Sequence, residues 1–498
     1  MKTDPFRLRF EHGLTPNVGE RSPTYQDTLT NARIRNNSLV PPEAIEQIYT
    51  PMTVTWPYPM VFYGYEALGE LWFSSASISV NGTPITVYNS TNPTVVYAIP
   101  LGGAWQCVIF GTNWIATNGS CYVFQLAGNY LGRTLGFACS NLGVSWALDR
   151  LFLWGLNFTT VPAALQTQIL AAWQGAEGRH LSYAGQALDQ SWVIASPTQA
   201  GSSDYPAMLL LALIGAYGAT LQTQLTEMML SSIRSGGLSL IPFDPKNRPV
   251  RVLPFGNARA VVYGQQKVSV INDAKVLSVN ELARQGLNYR HSVCDGGGHH
   301  VFVDSTGQVC MTLPSEVSDT LFVQTVGYED TVGLLAGGDL IISCDPKERE
   351  YYFSNASGCY LLSQGEMSRL TNRPTSLIRR NGALKGAYIE GDPGFVVQSR
   401  PIHNEVSGSK ALDFVEVQSQ NVTGFQGCVH SFYAGIPALV SSWMPVLSDG
   451  TISLMQGGYK FAVELKGTWA TGGCVEGYTG HLRYTDNALV RGPRQTGQ

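Results

Sequence analysis

Two stretches of the chain alternate apolar and polar positions in the same way. VFVDSTGQVCMTL (Val301–Leu313) and YYFSNASGCYLLS (Tyr351–Ser363) each run from β-branched or aromatic residues into a Ser/Asn/Gly turn and out through a second apolar run. That pattern predicts a tight antiparallel hairpin. The turn glycines, Gly307 and Gly358, stand 51 positions apart. A hairpin recurring at that interval is what successive four-stranded blades of a β-propeller leave in a sequence. Earlier, Asn81-Gly82 and Asn118-Gly119 sit between apolar runs, 37 positions apart. Asn-Gly tolerates the positive φ of a type I′ turn, so both predict hairpins at blade spacing. Removing one helical stretch from residues 51–405 leaves room for about six units of about 45 residues.

The period changes twice. Between about 160 and 236 it becomes helical: Leu165, Ile169, Leu170 and Trp173 follow Pro162, and Leu210, Leu213, Tyr217, Leu221, Leu225 and Met228 follow a cap at Asp204 and end at Gly236-Gly237. This predicts a helical insertion whose longer helix is enclosed. After about 405 the alternation is cleaner and no longer repeats. Phe461, Val463 and Leu465 share one face and Lys460, Glu464 and Lys466 the other, as in half-buried strands of a separate antiparallel β-domain. Residues 1–50 show little periodicity and predict an extended arm lying on the main body or a neighbour. The expected plan is therefore mainly β: an arm (1–50), a propeller-like body of about six blades with a helical insertion (51–405), and a C-terminal β-domain and tail (406–498).

Composition narrows the function. Of 498 residues 44% are apolar, enough for a substantial core, but only 14% are charged, against about 25% in ordinary soluble domains. So little charge fits either surfaces covered by other subunits or a chain simply rich in Gly, Ser, Thr and Asn. A net charge of −4 with no basic run argues against sequence-reading nucleic-acid binding. Nine cysteines without a Cys-x-x-Cys pair argue against a zinc ribbon or a disulfide framework, and predict buried, reduced thiols. The start, MKTDPFRLRF, lacks the apolar run of a secretory segment, and Leu209–Leu221 is too short to span a membrane. Five Asn-x-Ser/Thr sequons, at Asn89, Asn118, Asn157, Asn355 and Asn421, then read as compositional.

No phosphate loop, Gly-x-Ser-x-Gly or His-Glu-x-x-His is present. The best metal candidate is Cys294-Asp295-Gly-Gly-Gly-His299-His300 with Asp304 nearby. Adjacent histidines on a strand point to opposite faces, so structural roles are the expectation there. Glu329-Asp330 and Glu348-Arg-Glu350 read as solvated pairs in polar connections. No residue receives a catalytic, cofactor-binding or metal-binding assignment.

The order of parts resembles the β-propeller tail proteins of bacteriophages, above all the nozzle or packaged-DNA stabilisation protein of short-tailed phages. The resemblance rests on an arm ending in NNSLVPP, a mid-chain helix followed by SSIRSGGLSLIPF and RAVVYG, the unit EREYYFSNASGCYLLS, and a final sheet opening with DFVEVQSQ. It implies a non-enzymatic virion protein, assembled in the host cytoplasm as a homohexamer below portal and adaptor proteins and beside tail fibre or needle proteins. Its channel would retain packaged double-stranded DNA and conduct it at ejection, without sequence recognition, cofactor or membrane anchor. Two alternatives stand beside it: a glycan-binding or glycan-hydrolysing propeller with its ligand at one mouth of the channel, and a tail-tip or fibre-attachment component of a long-tailed phage.

Overall fold

The computed structural model describes residues 3–16, 24–47, 60–63, 69–74, 77–89, 92–100, 105–110, 113–126, 128–134, 139–147, 150–156, 191–195, 238–242, 247–256, 259–274, 276–318, 320–335, 339–402, 410–433 and 436–484. Among these the chain is almost entirely β-strand, with one short 3-10 turn at Val332–Leu335.

Seven small antiparallel units follow one another among the described residues. Their first strands are Met60–Tyr63 (blade 1), Gln106–Phe110 (blade 2), Cys139–Ala147 (blade 3), Pro249–Phe255 (blade 4), Val293–Asp295 (blade 5), Ile341–Asp345 (blade 6) and Arg373–Arg380 (blade 7). From blade 2 onward each first strand packs against the next, and that of blade 7 packs against that of blade 1. One apolar cluster then joins blades 1 and 2: Leu71, Phe73 and Ile78 meet Trp105, Trp114 and Val123. The circuit is thus closed, with first strands innermost, as in a β-propeller. Similar cores lie between blades 3 and 4 (Phe152, Trp154, Val262, Ile271) and between blades 4 and 5 (Tyr263, Val270, Phe302, Cys310). Face-to-face packing of neighbouring sheets, each fully buried large side chain contributing about 1.5–3 kcal/mol, holds the ring.

The repeated hairpins are strands two and three of blades 5 and 6. Their turns share a device that the residue pattern encodes. The Asp304 carboxylate accepts from Thr306 N (2.8 Å) and Gln308 N (3.0 Å), and Asn355 Oδ1 accepts from Ser357 N (2.8 Å) and Gly358 N (3.2 Å). Asn118 Oδ1 does the same in blade 2, to Ser120 N and Cys121 N, both at 2.9 Å. Asn118-Gly119 is therefore a side-chain-capped turn, not a type I′ turn; Asn118 is absent from the positive-φ residues, whereas Asn81 (φ 50°) and Gly82 (φ 80°) do adopt the left-handed pair. Asn118 and Asn355 are buried caps, which leaves two of the five sequons no room for a glycan.

The helices expected at about 162–173 and 204–236 lie outside the described residues. Within 160–236 the described part is the strand Ser191–Ala195, which pairs with Arg150–Leu156 and Leu238–Pro242. The stretch expected as a helical insertion thus carries the third strand of blade 3.

The arm completes two structures. Its Glu46–Gln47 adds a parallel third strand to blade 7, which has only two strands of its own, Arg373–Arg380 and Ala383–Ile389. Its Thr3–Arg9 pairs along the long strand Lys460–Tyr484, whose main partner is Lys410–Tyr433. Through Gln26–Thr30 this C-terminal sheet continues into blade 6. Asn31 locks the join: its amide donates to the carbonyls of Asp392 (2.6 Å) and Gly394 (2.7 Å), and its Oδ1 accepts from Thr371 N (2.8 Å).

Candidate functional site at one mouth of the propeller

Because all first strands run the same way around the ring, their C-terminal ends open on one mouth, together with the starts of the second strands. Read along blades 5, 6, 7 and 1, those positions hold Asp295, His299, Asp345, Glu348, Arg349, Glu350, Arg379, Arg380 and Glu70.

Most of that charge is spent in bracing. The Asp345 carboxylate is gripped by Arg379, with Nε 3.0 and 3.1 Å from its two oxygens, and Arg379 also reaches Glu43 at 2.9 Å. The hydrogen bonds that Arg379 donates to Asp345 and then to Glu43 hold its guanidinium above its ordinary pKa. Arg380 pairs with Glu70, which links blade 7 to blade 1. Glu350 is wholly buried; it pairs with Arg33 and accepts from Ser363 Oγ (2.9 Å) and Tyr352 Oη (3.0 Å). Arg35 bonds Glu348 at 2.7 Å. The expectation of solvated pairs is thus replaced by a buried brace at Glu350 and a half-buried one at Glu348, because the arm delivers Arg33 and Arg35 from more than 300 residues away.

One carboxylate is left over. Asp295 ends the first strand of blade 5 and is exposed; its Oδ1 accepts only from Gly297 N, at 2.8 Å, in a turn that Gly297 (φ 76°) and Gly298 (φ 118°) make. No arginine or lysine bonds it among the described residues. Beside it the half-buried His299 takes a hydrogen bond at Nε2 from the Tyr351 hydroxyl of blade 6. Burial first, then the Arg349 charge, pull the His299 pKa below its ordinary value, against Asp295. Burial pushes the Tyr351 phenol well up, so it remains a donor. Arg349 is exposed at a left-handed turn position (φ 55°). Where blades 5 and 6 meet, the mouth thus offers a free carboxylate, a neutral imidazole, a phenol and a guanidinium.

The Cys294–His300 segment does not converge on a metal. Cys294 is buried opposite Val301, and His300 turns to blade 4, where Tyr263 Oη meets its Nδ1 and Pro254 O its Nε2, both at 2.9 Å. Asp304 is the turn cap at the opposite face. Among the described residues the one group of three metal-donor side chains in mutual reach is Cys428, His430 and Glu464 of the C-terminal sheet. The sequence reading missed it because Glu464 is 34 residues from His430; the Cys-x-His alternation on one strand face was the available signal. Glu329 has a buried Oε2 with no hydrogen-bond partner among the described residues, near the 3-10 turn and away from this mouth.

The fold therefore defines a β-propeller, and comparison with known proteins bears on the rest. No protein-family description matches the chain, and no curated protein does. Among solved structures, it is similar to the extracellular domain of a one-component system from B. thetaiotaomicron (TM-score 0.38, 9% identity, 84% of this chain), of which it spans 56%. It is also similar to an exo-β-1,3-galactanase from Phanerochaete chrysosporium (TM-score 0.24, 8% identity, 85% of this chain and 95% of that one). A third is a family 43 arabinoxylan arabinofuranohydrolase from Bacillus subtilis (TM-score 0.21, 9% identity, 84% and 94%). The expectation of a hexameric phage nozzle with no enzymatic role is not borne out by these structures, which are two glycoside hydrolases and the extracellular domain of a one-component system. At TM-scores this low, no residue role is carried across.

Proposed function

We propose that this chain is a glycan-directed propeller that takes a neutral, polyhydroxylated ligand at the mouth between blades 5 and 6. The observation that carries the reading is the exposed Asp295 carboxylate, left without a cation while Asp345, Glu348 and Glu350 around it are each tied to an arginine. A carboxylate beside a neutral imidazole and a phenol suits a ligand that presents rows of hydroxyls: Asp295 accepts from two of them, and Arg349 donates to a ring or hydroxyl oxygen. Hydrolysis is the second reading, favoured by the same free carboxylate. It needs a second carboxyl about 5–10 Å away, and the braced carboxylates of this mouth supply none that is free.

The test is calorimetric titration and product analysis of the full chain with neutral oligosaccharides, β-1,3-galactan and arabinoxylan fragments included. Asp295→Ala should weaken binding roughly tenfold to a hundredfold, as expected for lost hydrogen bonds to a charged group, with the circular dichroism spectrum unchanged. Affinity indifferent to Asp295→Ala, or no oligosaccharide bound or cleaved, removes the proposal.

A further inference from the structure

We propose that the C-terminal sheet carries a binding site for a zinc-type divalent ion, formed by Cys428, His430 and Glu464. The inference is independent of the mouth between blades 5 and 6. Cys428 and His430 are two apart on the strand Lys410–Tyr433, so their side chains leave the same face. Glu464, on Lys460–Tyr484, stands directly opposite Cys428 in the antiparallel register. Two strands thus deliver three donors to one point without a loop.

The triangle they form has the size of a metal's coordination face. His430 Nε2 lies 2.8 Å from Glu464 Oε2, Cys428 Sγ 3.5 Å from the same oxygen, and Cys428 Sγ 4.0 Å from His430 Nε2. Bonds of about 2.3 Å to sulfur and about 2.1 Å to nitrogen and oxygen, at tetrahedral angles, place donor pairs roughly 3.4–3.6 Å apart. The three observed edges bracket that range, so shifts of about half an ångström suffice. Cys428 is wholly buried, while the His430 and Glu464 side chains keep 17% and 19% of their exposure. The inner ligand is thereby fixed and the outer two face solvent, which leaves a fourth position for water.

The alternative is a simple His430–Glu464 hydrogen bond with a bystander thiol. The thiol is no bystander, however: Cys428 Sγ donates to the same Glu464 Oε2 that His430 Nε2 meets, so all three donors already converge. On binding, the S–H bond breaks and that proton leaves to solvent, while His430 gives up the Nε2 proton it holds towards Glu464 and carries one on Nδ1 instead, so that sulfur, Nε2 and Oε2 each bond the metal. Sulfur, nitrogen and a single carboxylate favour zinc over magnesium or calcium, which prefer all-oxygen shells.

The full chain, stripped with chelator under reducing conditions, is titrated with Zn²⁺ and separately with Co²⁺. The expected result is one Zn²⁺ per chain and a near-ultraviolet thiolate-to-cobalt absorption band. Cys428→Ser should abolish the cobalt band, and His430→Gln should lower zinc affinity by roughly a hundredfold. Should Cys428→Ser fail to fold, His430→Gln alone decides, because that partly exposed position tolerates a polar side chain. Binding unchanged in His430→Gln, cobalt bound without the sulfur band, or no zinc bound by the parent chain each overturns the proposal.

Discussion

His300 shows how a single side chain can be fully specified by its neighbours. Pro254 O can only accept, so Nε2 carries the proton; Nδ1 then accepts from the Tyr263 hydroxyl, which in turn accepts from Thr312 Oγ1 at 2.9 Å. Burial depresses the His300 pKa below 6.5. The unfolded ring therefore takes up a proton first as pH falls. The neutral ring's stabilising effect is complete above about pH 6.5 and is lost as pH drops from there through the folded-state value. Chemical denaturation between pH 8 and 5 should show that decline, and His300→Gln, which does not titrate, should flatten its share. Tyr263→Phe leaves Nδ1 buried without a donor and should cost about 1–3 kcal/mol at pH 8, with the pH dependence altered as well. The thiols make a matching case: burial pushes Cys121, Cys310 and Cys359 up to about 12, so the folded chain should react slowly with a thiol reagent and the urea-unfolded chain fast.

Among the elements, the arm determines most. It supplies the third strand of blade 7, the parallel neighbour of blade 6, and the two arginines that neutralise Glu348 and Glu350. Glu350 is buried among Arg33, Tyr352 and Ser363, so removing Arg33 leaves its charge only the more distant Arg35, 3.6 Å away. Arg33→Ala is expected to cost about 3–5 kcal/mol in urea-monitored stability, whereas Lys267→Ala, which breaks the exposed pair with Glu281 at 2.9 Å, should cost less than about 1 kcal/mol. Equal losses from the two substitutions would contradict the bracing role. The sequence pattern suggested an extended arm over 1–50 and gave no sign of where its strands pair. Arg33 and Arg35 look like ordinary coil arginines until their partners at Glu350 and Glu348 are known.

For the whole molecule, the alternation of apolar residues and the turn chemistry already determined that the chain is built from short paired strands in a repeating unit. Those are local properties: a strand shows its buried face every second residue, and Asp304, Asn118 and Asn355 cap turns within four residues of themselves. Other features depend on positions far apart in the chain, and only the tertiary structure decided them. Blade 7 borrows a strand from about 340 residues upstream, so a repeat count along the sequence sees about six units where seven surround the axis. The free carboxylate at Asp295 becomes distinguishable from its neighbours only once the arm's arginines have occupied Glu348 and Glu350 and those of blade 7 Asp345 and Glu70. Cys428, His430 and Glu464 meet only because two strands of 24 and 25 residues lie antiparallel in one register. Local hydrophobic patterning sets the elements; ring closure and strand register, which bring remote residues within hydrogen-bonding range, set the sites.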